Sequence, residues 1–403
     1  MQQLAPAETA LLAAVDVSPM LGQVQQWCAV NTGTGNLAGL AQQTALLADA
    51  FAALPGSVTL EEPAPVSAMG ADGIERPIAN GQHLVLRVRP EAQRRFLLTG
   101  HMDTVYPAGH AFQQQTWLDQ DTLNGPGVAD MKGGIAVILA ALKAFETSAA
   151  AAATGYDVMI NSDEETGSLA SAPLIARLAQ GKAAALTYEP SALPDGTLTG
   201  ARGGSGNWSV AITGRSAHAG RNPQDGRNAI VAAAALAVRL KAIERDGLAI
   251  NPARIDGGSA NNVVPDHAVL RFNVRPRSIQ DAAAFEAHFA ALVAEIAAAH
   301  DVTTHVHGGM SRPPKLLDSR AERLFAVVEE CSALLGQPIT RQASGGVCDG
   351  NNIAACGVPV VDTMGVRGGA IHSPDEFLIV PSLGERAKLS ALVLHRLATG
   401  APL

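Results

Sequence analysis

The sequence predicts an α/β fold, a sheet covered by helices on both faces and interrupted by an inserted α+β domain. Three observations carry this. Short apolar runs bounded by polar residues, such as Phe96-Leu97-Leu98-Thr99-Gly100, read as buried strands. Strands and helices alternate up to residue 202 and again from residue 311, as in a doubly covered sheet. Between those limits the order becomes β-α-β-β-α-β, the ferredoxin-like arrangement. The expected division is residues 1–202 and 311–403 for one discontinuous domain and 203–310 for the insert. At 403 residues, each can bury its own core.

Taken in order, the first apolar run ends in His101, with Asp103 two residues later. In open α/β sheets, chemistry collects at the carboxyl ends of strands. A metal-ligating imidazole usually gives its second N–H to a carboxylate or carbonyl. His-x-Asp alone occurs by chance, so recurrence matters. Next, a loop with Gly125 and Gly127 delivers Asp130 to the entrance of an apolar helix around Ile135–Leu142; alone, Asp130 reads as an N-cap. Lys132, Gly133 and Gly134 lack the spacing of a phosphate-binding loop. The strand Tyr156–Ile160 runs into Asp163, Glu164 and Glu165 before a helix carrying Leu169, Leu174, Ile175 and Leu178. The bland reading there is a solvated acidic turn. Ala184–Tyr188 ends in Glu189, and Pro359–Met364 leads through a glycine-rich loop to His372.

Each segment has an ordinary explanation, but together the five are an improbable coincidence. Two imidazoles and several carboxylates suit Zn²⁺, with Co²⁺ or Mn²⁺ as possible occupants of similar sites. They are enough for two ions sharing one carboxylate, with one glutamate to spare, the equipment of a two-metal hydrolase.

In the insert, Ser205–Gly214 alternates apolar and polar residues like a half-exposed strand, and Asn228–Ile243 has helical spacing. Strand-like stretches at 253–257 and 267–274 flank a turn near Pro265. Ser278 caps a helix through Phe285, Phe289, Leu292 and Ile296, and a last strand follows at 302–307.

A hydrophobic content of 47% with 16% charged residues fits a globular protein. The net charge of −8 argues against a nucleic-acid partner, because no basic stripe is present to displace phosphate counterions. No uninterrupted apolar stretch is read as long enough to span a bilayer. The run Ala149–Ala153 looks like loop or helix-end material, and Met1–Pro6 lacks the basic and apolar regions of a leader. Four cysteines without C-x-x-C spacing point to a reducing cytoplasm. Cys28, Cys331 and Cys356 are expected as packed thiols. Cys348 falls in a polar loop near the proposed site, but a nucleophile needs an activating partner, and none lies nearby in sequence.

The strings GHMDTV, GPGVADMKGG, DEETGS, TYEP, SAHAG and IHSPDE, in this order, cover about residues 101–376. They resemble the signature segments of the zinc-dependent superfamily of glutamate carboxypeptidases, acetylornithine deacetylases, succinyl-diaminopimelate desuccinylases and aminoacylases. The resemblance implies a zinc-exopeptidase-like mixed sheet flanked by helices, with the insert as a lid and dimerisation domain. It implies that His101, Asp130 and Glu189 serve one zinc and that Asp130, Glu165 and His372 serve the other, with Asp130 bridging. Asp103 would orient His101, and Glu164 would be the general base. His218 would reach a neighbouring subunit's site in a homodimer. Asn262 and Arg275, with Arg312 as a further candidate, would hold the substrate carboxylate, since a guanidinium binds a carboxylate bidentately. Around Val347 and Cys348 the chain departs from the small residues usual in the family. The implied reaction is cleavage of an N-acyl amino acid or peptide with a C-terminal carboxylate, closest to the glutamate carboxypeptidases. The alternatives are an N-acyl diamino acid deacylase and, in another class, a non-catalytic dimeric binding protein; the latter predicts a damaged ligand set.

Overall fold

The computed structural model describes residues 3–403; Met1 and Gln2, the start of the segment read as leaderless, lie outside the described residues. Six strands form the main sheet in the order Ser57–Glu61, His83–Val88, Thr154–Asn161, Arg94–His101, Ala184–Thr187, Val360–Val361. The last four run parallel and the first two add antiparallel, so the sheet is mixed. Every residue of Thr154–Asn161 and Ala184–Thr187 is buried, as expected of parallel strands covered on both faces.

One covering helix, Gly134–Glu146, is apolar nearly all round because it lies between the sheet and the C-terminal helix Ser382–Ala398. Its start passes so close to the neighbouring strand's exit that a Cβ on Gly134 would sit 2.1 Å from the Tyr188 carbonyl oxygen. Only glycine fits there.

The second sheet is antiparallel, ordered Leu248–Gly257, His267–Pro276, Ser205–Thr213, Thr303–Arg312. Helices Ala229–Ala242 and Ile279–His300 cover one face. Ser278 caps the latter, its side chain accepting from the Asp281 N–H. The final strand runs to Arg312, past the limit of 310 read from sequence. Trp208, Phe272, Phe285 and Phe289 fill the space between sheet and helices, with Trp208 and Phe272 stacked at 5.6 Å. Helix Ile279–His300 is long and apolar enough to cross a bilayer by length and composition alone, with a mean hydropathy of 1.4 over 18 residues, although Asp281, Glu286 and Glu295 interrupt its apolar run. Its apolar side chains Phe285, Phe289, Leu292 and Ile296 are instead turned onto the sheet, and alanines supply much of the remaining hydropathy.

A hairpin that sequence periodicity did not reveal, Val66–Met69 with Glu75–Ile78, leaves the main domain and lies on the other face of the second sheet. There, His305 Nε2 is 2.7 Å and His307 Nδ1 3.1 Å from the two Glu75 carboxylate oxygens. Arg271 donates to the Met69 carbonyl and His267 Nε2 bonds that of Ala71.

Candidate metal centre

Parallel register explains why the candidate ligands gather. His101 lies opposite Asn161, so the segments following Thr154–Asn161 and Ala184–Thr187 leave the sheet at the same end as His101. Glu164 and Glu165 occupy the short turn Glu164–Thr166, and Glu189 follows the end of its strand. The acidic turn is not solvated: Asp163 and Glu164 are buried, and the Asp163 carboxylate accepts from the Ala170 and Ser171 N–H groups. Leu169, read as part of the following helix face, lies ahead of helix Ala172–Ala179 and is exposed.

Asp130 arrives from the turn Val128–Gly133, ahead of the buried helix. Its backbone is non-helical and its carboxylate caps nothing, so the N-cap reading fails. Glu376 fixes this turn, accepting from the N–H groups of Gly127, Ala129 and Asp130 at 3.2, 3.0 and 3.1 Å. Asp130 consequently faces both imidazoles, with Oδ1 3.1 Å from His101 Nε2 and Oδ2 3.3 Å from His372 Nε2. Glu189 Oε2 is 3.7 Å from His101 Nε2, and Glu165 Oε2 is 3.2 Å from His372 Nε2.

Two overlapping triads, His101/Asp130/Glu165 and His101/Glu164/Glu189, offer donor atoms within 4.8 Å of one another. The donor types suit a divalent ion of borderline hardness. Glu189 Oε1 is buried without a hydrogen-bond partner, a charge that a cation would satisfy. The residues therefore fit a metal centre.

Asp103 acts with two different groups. Its backbone carbonyl bonds His101 Nδ1 at 3.0 Å, fixing the imidazole so that Nε2 points at the carboxylates. Its carboxylate accepts from the Glu164 and Glu165 N–H groups, both at 3.2 Å, and from Thr34 Oγ1 at 2.8 Å. One residue thus holds a histidine and the acidic turn in mutual register.

Burial disfavours charge throughout the site, and neighbours decide the balance. Burial opposes a proton on His101, but the Glu189 charge and bonds to Asp103 and Asp130 hold its pKa well above the ordinary value. Bonds to Asp130 and Glu165 push His372 up to about 11. Burial, reinforced by the Asp130 charge, pushes Glu165 up to about 7. For Asp130 itself, burial is outweighed by bonds to His101 and His372, and its pKa falls below the usual carboxylate range. Burial raises Glu164 well above that range despite the nearby Arg312.

Arg312, a candidate for the substrate carboxylate, sits against Glu164. It is buried, with its guanidinium 2.7 Å from Glu164 Oε1, and it donates to the Glu164 carbonyl, Ser168 Oγ and Asp349 Oδ1 at 2.9, 2.9 and 3.2 Å. These contacts make it the residue that positions Glu164. Arg275 lines a neighbouring cleft of about 500 Å³ between the domains, where its Nε donates to Asn273 Oδ1 at 2.8 Å. His218 and Asn262 lie together on the insert, with Ala219 donating to the Asn262 carbonyl. Both are exposed, and neither lines the cavity of about 530 Å³ that contains Asp130, Glu164, Glu189 and His372. Within one chain the structure brings the candidate ligands, Asp103, Glu164 and Arg312 together and leaves His218, Asn262 and Arg275 apart.

Cys348 lines the cavity, but burial holds its thiol well above the usual range, and no imidazole bonds it among the described residues. The expectation that Cys356 is packed is corrected: it is exposed, one residue beyond helix Asp349–Ala355. Sequence reading missed Glu376, Thr34 and Asp349; of these, only Glu376 lies within one of the motif strings, IHSPDE.

The model of the family described as "Peptidase family M20/M25/M40" matches residues 97–396. Carboxypeptidase G2 of Pseudomonas sp. is 28% identical over 402 residues, covering 96% of this chain and 92% of that protein. The succinyl-diaminopimelate desuccinylase of Xanthomonas oryzae pv. oryzae is 30% identical over 325 residues, covering 75% of this chain and 83% of its own. A crystal structure of a Staphylococcus aureus tripeptidase superposes with a TM-score of 0.74 at 23% identity, covering 96% of this chain and 100% of that one. The chain is a metallopeptidase-type hydrolase and belongs to peptidase family M20/M25/M40.

Proposed function

We propose that this protein is a di-zinc hydrolase that cleaves the amide bond of an N-acyl amino acid or peptide bearing a C-terminal carboxylate, in the manner of a glutamate carboxypeptidase. The observation that carries the reading is Asp130, whose two oxygens each face one imidazole while Glu189 and Glu165 flank them. That arrangement suits one carboxylate shared between two ions, with His101 and Glu189 on one side and Glu165 and His372 on the other. When bound, such ions polarise a carbonyl and lower the pKa of water from about 15.7 to about 7.

Glu164 performs the proton transfers. It lines the cavity beside the ligands and is not required as one of them. Its carboxylate takes a proton from the attacking water and passes it to the departing amine nitrogen, so that water plus amide yields acid plus amine. Arg312 keeps Oε1 in place at 2.7 Å, and Asp103 holds the Glu164 backbone. Burial raises the pKa of Glu164, which suits a group that must hold a proton between the two steps.

His218 reaches this cavity only from a second copy of the chain. Helix Ala229–Ala242 supports self-association: Val231 and Val238, two turns apart on one face, are 51% and 70% exposed. The second reading, an N-acyl diamino acid deacylase, uses the same ligands and is favoured by likeness to the desuccinylase. The non-catalytic reading predicts a damaged ligand set; the groups His101/Asp130/Glu165 and His101/Glu164/Glu189, either of which could hold a metal ion, weigh against it.

The test is amine release from a panel of N-acyl amino acids and dipeptides, with and without chelator. Chelator-sensitive hydrolysis of substrates ending in glutamate or aspartate is expected. A preference for acetylated or succinylated diamino acids would replace the first reading with the second.

A further inference from the structure

Three arginines are buried among the described residues, and two of them grip carboxylates: Arg202 holds Asp362, and Arg312 holds Glu164 and Asp349. The third, Arg386, has no carboxylate partner among the described residues. It lies in the second turn of helix Ser382–Ala398 and is 2% exposed. Its Nη2 donates to the Gly196 carbonyl at 2.8 Å, while Nη1 is buried with no hydrogen-bond partner. Burial pulls its pKa down to about 10, so the charge persists at neutral pH.

Arg386 lines a cleft of about 240 Å³ with Asp195, Gly196, Ser332, Arg367 and Glu385, none of which lines the metal cavity. The acids of this cleft are engaged elsewhere. Glu385 pairs with Arg367 at 3.0 Å, and Asp195 Oδ1 accepts from the Thr197 N–H and Oγ1 at 2.8 and 2.7 Å. An unpaired buried charge is costly, and a guanidinium is built to bind anions. With Arg367 cancelled by Glu385, Arg386 supplies one charge to neutralise, and the exposed Asp195 opposes an anion of higher charge. The ligand that fits is therefore small and monovalent, a halide or a short carboxylate.

The cleft backs onto the metal cavity. Residues 190–194 line that cavity and lead directly into Asp195 and Gly196, while Arg367 begins the segment that carries Gly368 to His372 into it. Arg367 Nε also donates to the Pro194 carbonyl at 2.8 Å. We propose that this cleft is an anion-binding site in which a small monovalent anion takes the free Nη1 of Arg386 and braces both wall segments from behind. The ligand is not a substrate, so the inference stands apart from the hydrolase reading. The rival is an arginine that serves only to hold the Gly196 carbonyl.

The experiment follows the Tm of the metal-loaded full chain as chloride or acetate is added, comparing wild type with Arg386→Met so that general salt effects cancel. With either anion at about a hundredfold excess over its half-saturating concentration, wild type should gain about 3 °C or more relative to the variant. An arginine that only holds Gly196 would instead leave the two curves a constant distance apart. The anion that produces the gain identifies the source as halide or carboxylate. Arg386→Lys, the gentler change, keeps the charge but loses the fork, and should raise the half-saturating concentration about tenfold. Bromide soaked into wild-type crystals should give an anomalous signal beside Arg386, a readout that needs no variant to fold. A wild type without a saturable gain, or curves that stay parallel for both anions, would overturn the proposal. Bromide in the cleft beside such flat or parallel curves would mark an adventitious ion only and overturn it as well.

Discussion

Replacing Glu164 by glutamine is expected to leave the metal content unchanged and to lower kcat by about 10²–10⁴-fold, the usual contribution of a positioned acid–base group. Glutamine keeps an oxygen toward Arg312, so the contact of 2.7 Å is preserved in kind while the titratable group is lost. Alanine is the poorer variant. It would strand a buried guanidinium, and breaking a buried pair typically costs about 3–5 kcal/mol; Asp349 and Ser168 would offset only part of that. Metal analysis beside steady-state kinetics checks the expectation. A metal-replete glutamine variant with near wild-type kcat would remove Glu164 from the proton-transfer role.

Asp130→Ala should have the other large effect, abolishing metal retention at both positions and lowering activity to that of metal-stripped protein. The reason is geometric. Asp130 alone presents oxygens to both imidazoles, at 3.1 and 3.3 Å, whereas Glu189 approaches His101 and Glu165 approaches His372. Removing a flanking ligand should weaken one ion; removing the shared one should weaken both. Metal-to-protein ratios after dialysis distinguish these outcomes. An Asp130→Ala protein that retains one ion at full occupancy would show that the carboxylate is not shared.

The parts of the site legible in the sequence are those that chain direction alone determines. Parallel strands deliver their carboxyl ends to one edge, so His101, Glu164, Glu165 and Glu189 could be collected before any contact was known. Side chains that support them from far along the chain could not. Arg312 meets Glu164 across 148 residues, and Arg202 meets Asp362 across 160. No periodicity links such positions. The resemblance alone offers Arg312 as a candidate for the substrate carboxylate; its bonds to Glu164, Ser168 and Asp349 have no counterpart in the spacing. Asp103 goes beyond what its spacing suggested: His101 Nδ1 lies 3.4 Å from the Asp103 carboxylate and donates at 3.0 Å to the Asp103 carbonyl. In the fold, strand Ser57–Glu61 and the exposed hairpin at Glu75 escaped notice because their signal is short or half-polar, whereas His83–Val88, a buried apolar run longer than Ala184–Thr187, was legible and overlooked. The aromatic core of the insert stood out because Phe285, Phe289, Leu292 and Ile296 repeat at helical spacing.

The most direct measurement is metal titration of chelator-stripped protein, following amine release from an N-acyl glutamate as zinc is added back. The account predicts negligible activity in the stripped protein and recovery that is complete at about two equivalents per chain, as a two-metal site requires. Full activity without metal would contradict the account at its centre, and a plateau at one equivalent would contradict the shared role of Asp130.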